Sequence, residues 1–167
     1  MKTRDLLGIG LICATAAAAA LLWLHSPSLE TTARRALSTN APITPCVWQS
    51  PWSDRRFRLV GWSQPMGGNI ASNDREPLLG FRVGSPGTWR IAIRHQALFA
   101  DVRADVNGTA SQPLAQQSGY WSEDVIIPAD GIVLIRFHVR DAVMHASDAR
   151  YLGVPLLAVM ACPRSGS

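Results

Sequence analysis

Between residues 56 and 161, apolar side chains recur at every second position in a series of short runs. Trp89, Ile91 and Ile93 alternate with Arg90, Ala92 and Arg94, and Val102, Ala104 and Val106 alternate with Asp101, Arg103 and Asp105. Val133, Ile135, Phe137 and Val139 repeat the pattern, as do Leu79, Phe81 and Val83. A period of two turns one face toward a core and leaves the other in water, which is how a half-buried β-strand reads. Further strands are predicted over 56–62, 123–127 and 154–161. Turn chemistry separates the runs: Gly84-Ser85-Pro86-Gly87, Pro128-Ala129-Asp130-Gly131, and Asn107-Gly108, a pair that tolerates positive φ at both positions of a tight hairpin. No long stretch has helical period. Seven or eight short strands of this kind predict an all-β fold, an antiparallel β-sandwich of jelly-roll type.

Upstream the pattern changes twice. Residues 6–24 form an uncharged run of nineteen preceded by Lys2 and Arg4. At about 1.5 Å per residue, a helix of that length approaches the ~30 Å hydrocarbon thickness of a bilayer. The expectation is an uncleaved N-terminal anchor over 1–24, a transmembrane helix with Trp23 at the outer interface and the domain in the periplasm. The alternative is a signal peptide cut near the alanine run 16–20, which would release the domain into the periplasm. Residues 25–45, rich in Ser, Thr, Pro and Ala, read as a flexible linker with a short helix over 31–37; fully extended they reach roughly 70–75 Å. The sandwich domain is then 46–167. Cys46 and Cys162, the only cysteines outside the apolar run, stand at its two edges. In an oxidising compartment such a pair is most simply a disulfide, worth about 4–5 kcal/mol for a loop of this order; two free buried thiols are the alternative.

Composition narrows the chemistry. With 47% hydrophobic and 17% charged residues, the chain is neither a disordered polyelectrolyte nor a coiled coil. The net charge is +4, but residues 46–167 carry twelve basic and ten acidic side chains, too balanced to suggest nucleic acid. There is no G-x-S-x-G elbow, Walker loop, dinucleotide fingerprint or H-E-x-x-H motif, and no zinc-ligand spacing, so neither cofactor nor metal is expected. His138, Asp141 and His145 would bind a metal only if a turn gathered them; solvated strand-end residues are the simpler reading. Asp54, Asp74, Glu76, Glu123 and Asp124 are carboxylates available to glycoside hydrolysis, which needs two about 5–10 Å apart, but no spacing selects a pair. The expectation is therefore a protein that is not an enzyme.

Aromatic and basic residues supply the binding candidates. Indole faces suit sugar rings, yet they also fill sandwich cores. Trp89 is in phase with Ile91 and Ile93 and belongs to the core. Trp48 and Trp52, flanking Ser50-Pro51, together with Trp62 and Trp121, are the ligand-binding candidates. Trp121 follows Gly119-Tyr120 at a loop-to-strand junction, where an indole can be exposed. Arg55, Arg56 and Arg58 make the densest basic cluster, suited to an anionic glycan or lipid headgroup or else a solvated strand face. Asn107-Gly108-Thr109 fits the N-glycosylation pattern, although its turn role explains it without a glycan.

Two stretches carry a family resemblance. Gly61-Trp62-Ser63-Gln64-Pro65 is followed by Gly67-Gly68-Asn69-Ile70-Ala71-Ser72 and a strand over 77–83, and the last strand is preceded by Ala146-Ser147-Asp148-Ala149-Arg150-Tyr151-Leu152-Gly153. Together they resemble a β-sandwich domain appended to bacterial membrane phosphoglycerol transferases and membrane glycosyltransferases, although the Trp-Gly and Trp-Ser elements of its opening are missing. The resemblance implies a non-catalytic, membrane-tethered accessory in envelope polysaccharide or glycolipid assembly. Its partners would be an envelope glycan or glycolipid and a membrane glycosyltransferase or related enzyme, with attachment to the inner membrane through residues 6–24. Asp148 and Arg150 point the same way on an extended segment and are expected to fix the loop before the last strand, Arg150 being a ligand candidate as well. Gly153 would admit a close backbone approach there. The competing readings are a structural or interaction subunit without sugar affinity and, third, a glycan hydrolase.

Overall fold

A computed structural model describes residues 28–62, 76–98, 100–140, 143–145, 148–152 and 154–164, with the backbone alone for 143–145 and 148–152. Among these residues, one helix and ten strands follow in order: α1 (Leu29–Leu37), β1 (Arg58–Val60), β2 (Leu78–Arg82), β3 (Gly87–His95), β4 (Asp101–Val106), β5 (Gln112–Pro113), β6 (Gly119–Ile127), β7 (Ile132–Arg140), β8 (Val143–His145), β9 (Asp148–Leu152) and β10 (Leu156–Pro163). They build a five-stranded sheet in the order β1-β2-β7-β4-β5, a three-stranded sheet in the order β10-β3-β6, and the separate pair β8-β9. Every strand pairing is antiparallel.

The alternation read from the sequence decides which side chains meet between the two larger sheets. Leu79 and Phe81 of β2, Ile135 and Phe137 of β7 and Val102 and Ala104 of β4 form one lining of the core; Ile91 and Ile93 of β3 and Val159 and Ala161 of β10 form the other. All are essentially inaccessible to water. Sheets that share one apolar layer in this way make a sandwich. The Asn-Gly turn forms as expected: Asn107 and Gly108 have φ of 52° and 77°, and the Thr109 N–H donates to the Val106 carbonyl at 3.1 Å. The Asn107 carboxamide also donates to the Ile132 carbonyl and accepts from the Leu134 N–H at 2.9 Å, which ties the turn to β7 and occupies the nitrogen that a glycan would need.

Residues 33–45 depart from the expected linker. Helix α1 is capped by Ser28, whose hydroxyl accepts from the Thr31 N–H at 3.1 Å. Ala33 and Leu37, one helical turn apart, are buried in a second cluster with Leu78, Ile132 and Leu134 on the outer face of the five-stranded sheet. Gly80 makes room for it, because a Cβ there would stand 2.6 Å from Leu37 Cδ1. Arg82 then donates to the Ser38 and Asn40 carbonyls that follow the helix, and Ile43 reaches the main core. The packed body thus begins before Cys46. The sequence reading also shortened β6, whose strand starts at Gly119 rather than 123, and missed β5, β8 and β9. No helix among the described residues is long and apolar enough to cross a membrane, and the 6–24 run lies outside those residues.

Cys46 and Cys162 form the expected disulfide, with their Cα atoms 4.6 Å apart across 116 positions of sequence. It is reinforced on the same flank of β10. The Cys46 N–H donates to the Ala161 carbonyl, and Gln49 and Val159 exchange two backbone hydrogen bonds of 2.9 Å.

Candidate functional site

The outer face of the small sheet gathers the exposed aromatic and basic groups. On β3, Arg90 and Arg94 are out of phase with the buried Trp89, Ile91 and Ile93 and stand in solvent. On β6, Tyr120, Ser122, Asp124 and Ile126 are out of phase with Trp121, Val125 and Ile127. Register converts these phases into rows: Ala158, Arg94 and Tyr120 lie side by side, then Met160, Ala92 and Ser122, then Cys162, Arg90 and Asp124. Neighbouring strands lie about 4.8 Å apart, and rows two residues apart are separated by roughly 7 Å. The face is therefore a shallow platform, open at one end around Tyr120 and ion-paired at the other.

Trp48 completes the open end. It is 38% exposed, and the Arg94 guanidinium stands 5.8 Å from the centre of its ring, a cation–π arrangement. The segment that carries Trp48 is held from both sides. The disulfide and the Gln49–Val159 bridge attach it to β10, and the Gln49 side chain anchors its loop. Gln49 Nε2 donates to the Thr44 carbonyl at 2.8 Å, while its Oε1 accepts from Arg56 Nη2 at 2.6 Å. Arg56 in turn pairs with Asp54, which holds the Asp54 carboxyl below its ordinary value. Tyr120, 72% exposed, stands across from Arg94 on the neighbouring strand.

At the other end Asp124 accepts from two guanidinium groups at once. Arg90 Nε and Nη2 approach at 2.8 and 3.0 Å, Arg164 Nε and Nη2 at 3.0 and 2.7 Å. Hydrogen bonds from Arg164 and then Arg90 keep this carboxyl far below the usual carboxylate range. It is an ion at any working pH, which disqualifies it as a general acid.

The predicted site residues separate into different environments. Trp48 is at the surface as described. Trp121, expected at an exposed junction, is 7% exposed and lies in the core, because strand β6 continues back to Gly119 and puts it in phase with Val125. Trp52 and Trp62 are half-buried against the core, with centroids 5.6 Å apart, and Trp62 meets Phe137 edge-on at 5.5 Å. Their indole N–H groups donate to the Leu156 and Leu78 carbonyls, so the fold employs both ends of each side chain. Trp89 is buried, its N–H donating to the Ser85 carbonyl at 3.0 Å. Asp148 and Arg150 fall on β9, and the direction of their side chains lies outside the described structure, as does Gly153 altogether. Within the arginine cluster, Arg56 is committed to the Gln49 loop, whereas Arg55 and Arg58 are exposed.

The described carboxylates fall into different settings. Asp54 and Asp124 are held by arginine, and Glu76 stands 3.6 Å from His138. His138 also meets Asp105 at 2.7 Å, and Asp105 is nearly buried and accepts from the Gly108 N–H. Glu123 is pushed up by burial, with the Asp105 charge adding to the effect. Asp74 and Asp141 lie outside the described residues, as does the His145 side chain. No group of three metal-ligating side chains occurs among the described ones.

Sequence reasoning missed Tyr120 and Arg94 as site residues. The signal was present, since both occupy the even positions opposite the buried odd ones.

No family model matches the chain, and no curated protein matches it significantly. Among solved structures it is similar to a GH26-CBM35 β-(1,4)-mannanase of Podospora anserina, at 14% identity and a TM-score of 0.46, over 72% of this chain and 28% of that one. It is similar to CBM35 from Paenibacillus barcinonensis at 13% identity and a TM-score of 0.44, over 72% of this chain and 99% of that one. The family 35 carbohydrate-binding module from Clostridium thermocellum aligns at 13% and 0.46, over 71% and 98%. At such identities these likenesses assign no role to any residue of this chain.

Proposed function

We propose that this protein is a non-catalytic saccharide-binding accessory, tethered to the inner membrane through residues 6–24 and working in the periplasm in envelope polysaccharide or glycolipid assembly. The observation that carries the binding role is the platform at the open end of the small sheet. Trp48 and Tyr120 are large and exposed, and both stand beside Arg94: Trp48 from the segment tied to β10 by the disulfide and the Gln49–Val159 bridge, Tyr120 from the neighbouring strand β6. Aromatic faces give sugar rings an apolar surface against their C–H bonds, and Arg94 and the Tyr120 hydroxyl offer polar contacts to ring hydroxyls beside it. A shallow face of this kind suits a polymer that runs across it. The tether and the envelope setting rest on the uncharged N-terminal run and on the resemblance of 146–153 to the closing motif of envelope-enzyme domains. A membrane glycosyltransferase or related enzyme is the protein partner this reading implies.

The binding role is tested by titrating the full chain with envelope polysaccharides while following tryptophan fluorescence. A saturable change is expected for the intact protein, and an affinity at least about tenfold weaker for Trp48→Ala and Tyr120→Ala, in line with the loss of one stacked aromatic. If no glycan perturbs the fluorescence or the binding heat, the saccharide reading fails. An interaction subunit then becomes the better reading, which the 79% exposure of Ile126 on the edge strand β6 favours.

A further inference from the structure

We infer that the saccharide taken by this face is anionic, bearing a carboxylate or a phosphate that Arg94 receives. The inference rests on the saccharide reading above and adds the charge class of the ligand.

Among the described residues the outer face of the small sheet carries three guanidinium groups, Arg90, Arg94 and Arg164, and a single carboxylate, Asp124. Asp124 is shared by Arg90 and Arg164, so that trio retains one unit of positive charge. Arg94 has no carboxylate within ion-pair distance among the described residues. The described residues of the face thus hold an excess of about two positive charges. Other arginines are spent on structure: Arg56 on Asp54 and Gln49, Arg82 on the carbonyls after α1, Arg103 on Ser111, Arg34 on Asp130. Arg35, Arg55, Arg58 and Arg140 are exposed as well, but Arg94 is the one that stands beside the exposed aromatics Trp48 and Tyr120.

Its placement also prepares it. The Trp48 ring, 5.8 Å from the Arg94 guanidinium, restrains that side chain, so part of the ordering cost is met before a ligand arrives. A planar fork so held matches the two oxygens of a carboxylate or phosphate, whereas a neutral hydroxyl uses one donor at a time. Trp48 and Tyr120 would flank the sugar ring that carries the anion. The Arg90–Asp124–Arg164 cluster, about 14 Å further along the strand by the usual rise per residue, would extend the favourable field along the chain of the polymer.

The test compares four polymers on the full-length protein by calorimetry: polygalacturonate for the carboxylate, a phosphoglycerol-substituted glucan for the phosphate, dextran as the neutral sugar, and polyphosphate as an anion without sugar. The expected result is that one or both charged saccharides bind at least about tenfold more tightly than dextran at low salt. Arg94→Gln should remove that preference, weakening the charged saccharides far more than dextran while the thermal midpoint stays within about a degree of the parent, and Arg94→Lys should retain part of it. The preference should also shrink at high salt, since the site is exposed. Dextran binding as tightly as both charged saccharides overturns the anionic assignment and leaves the saccharide reading standing. Polyphosphate binding as tightly as the charged sugars, or no saccharide binding at all, overturns the saccharide reading and this inference with it.

Discussion

Glu123 enters the sandwich from β6, the strand at the edge of the small sheet, and its Oε2 is buried without a hydrogen-bond partner among the described residues. Burial raises its pKa above the ordinary 4.5, and the Asp105 charge pushes in the same direction. The folded state therefore prefers the protonated acid. Its contribution to stability is fully present below the ordinary carboxylate value and is lost as pH rises through the higher folded one. Glu123→Gln should flatten that decline, so the variant gains on the parent in thermal midpoint between pH 4.5 and neutrality. A parallel pair of midpoint-against-pH curves would contradict it. An inward charge on an edge strand also discourages pairing with another chain, which gives this destabilising group a reason to exist. The adjacent pair Tyr120 and Trp121 shows what the residue scale left undecided in sequence. Both are aromatic and lie just after Gly119, and only the starting point of β6 determines which one faces water.

At the scale of elements, α1 and the strands behave differently. Strand alternation spreads over six to nine residues in β3, β4 and β7, enough positions for the period to stand out. Helix α1, expected over 31–37, has nine residues and buries only Ala33 and Leu37; its pattern showed a helix but not what it packs on, and a helix of that length is marginal in isolation. It exists because Leu78, Ile132, Leu134 and the missing side chain of Gly80 give Leu37 a seat. Leu37→Ala should accordingly cost about 2–5 kcal/mol, as other fully buried leucines do, as measured by chemical denaturation. A cost below 1 kcal/mol would mean that the helix is not docked in solution. Short pieces such as β5 and β8 were illegible, since two or three residues hold no measurable period.

For the molecule as a whole, the disulfide links stability to the proposed site. It joins residue 46 to residue 162, and the same segment carries Trp48 two positions later. Cys46→Ser should lower stability by about 4–5 kcal/mol in oxidising buffer by the loop-entropy argument, and by much less under reductant. It should also shift tryptophan emission to the red as the Trp48 segment loosens and weaken saccharide binding. Equal midpoints for parent and variant in oxidising buffer would remove the disulfide's structural role. The covalent pairing was readable from the chain because only two cysteines flank the strands. The sandwich was readable because burial on one face imposes a period of two, whatever the partners are. What needed the tertiary structure was the outer face. Moving a strand's register by one residue exchanges every inward and outward side chain. Which aromatics meet water therefore depends on where each strand begins and on what packs against it from distant sequence. Trp48 meets Arg94 across 46 positions for that reason, and neither residue's neighbours announce the other.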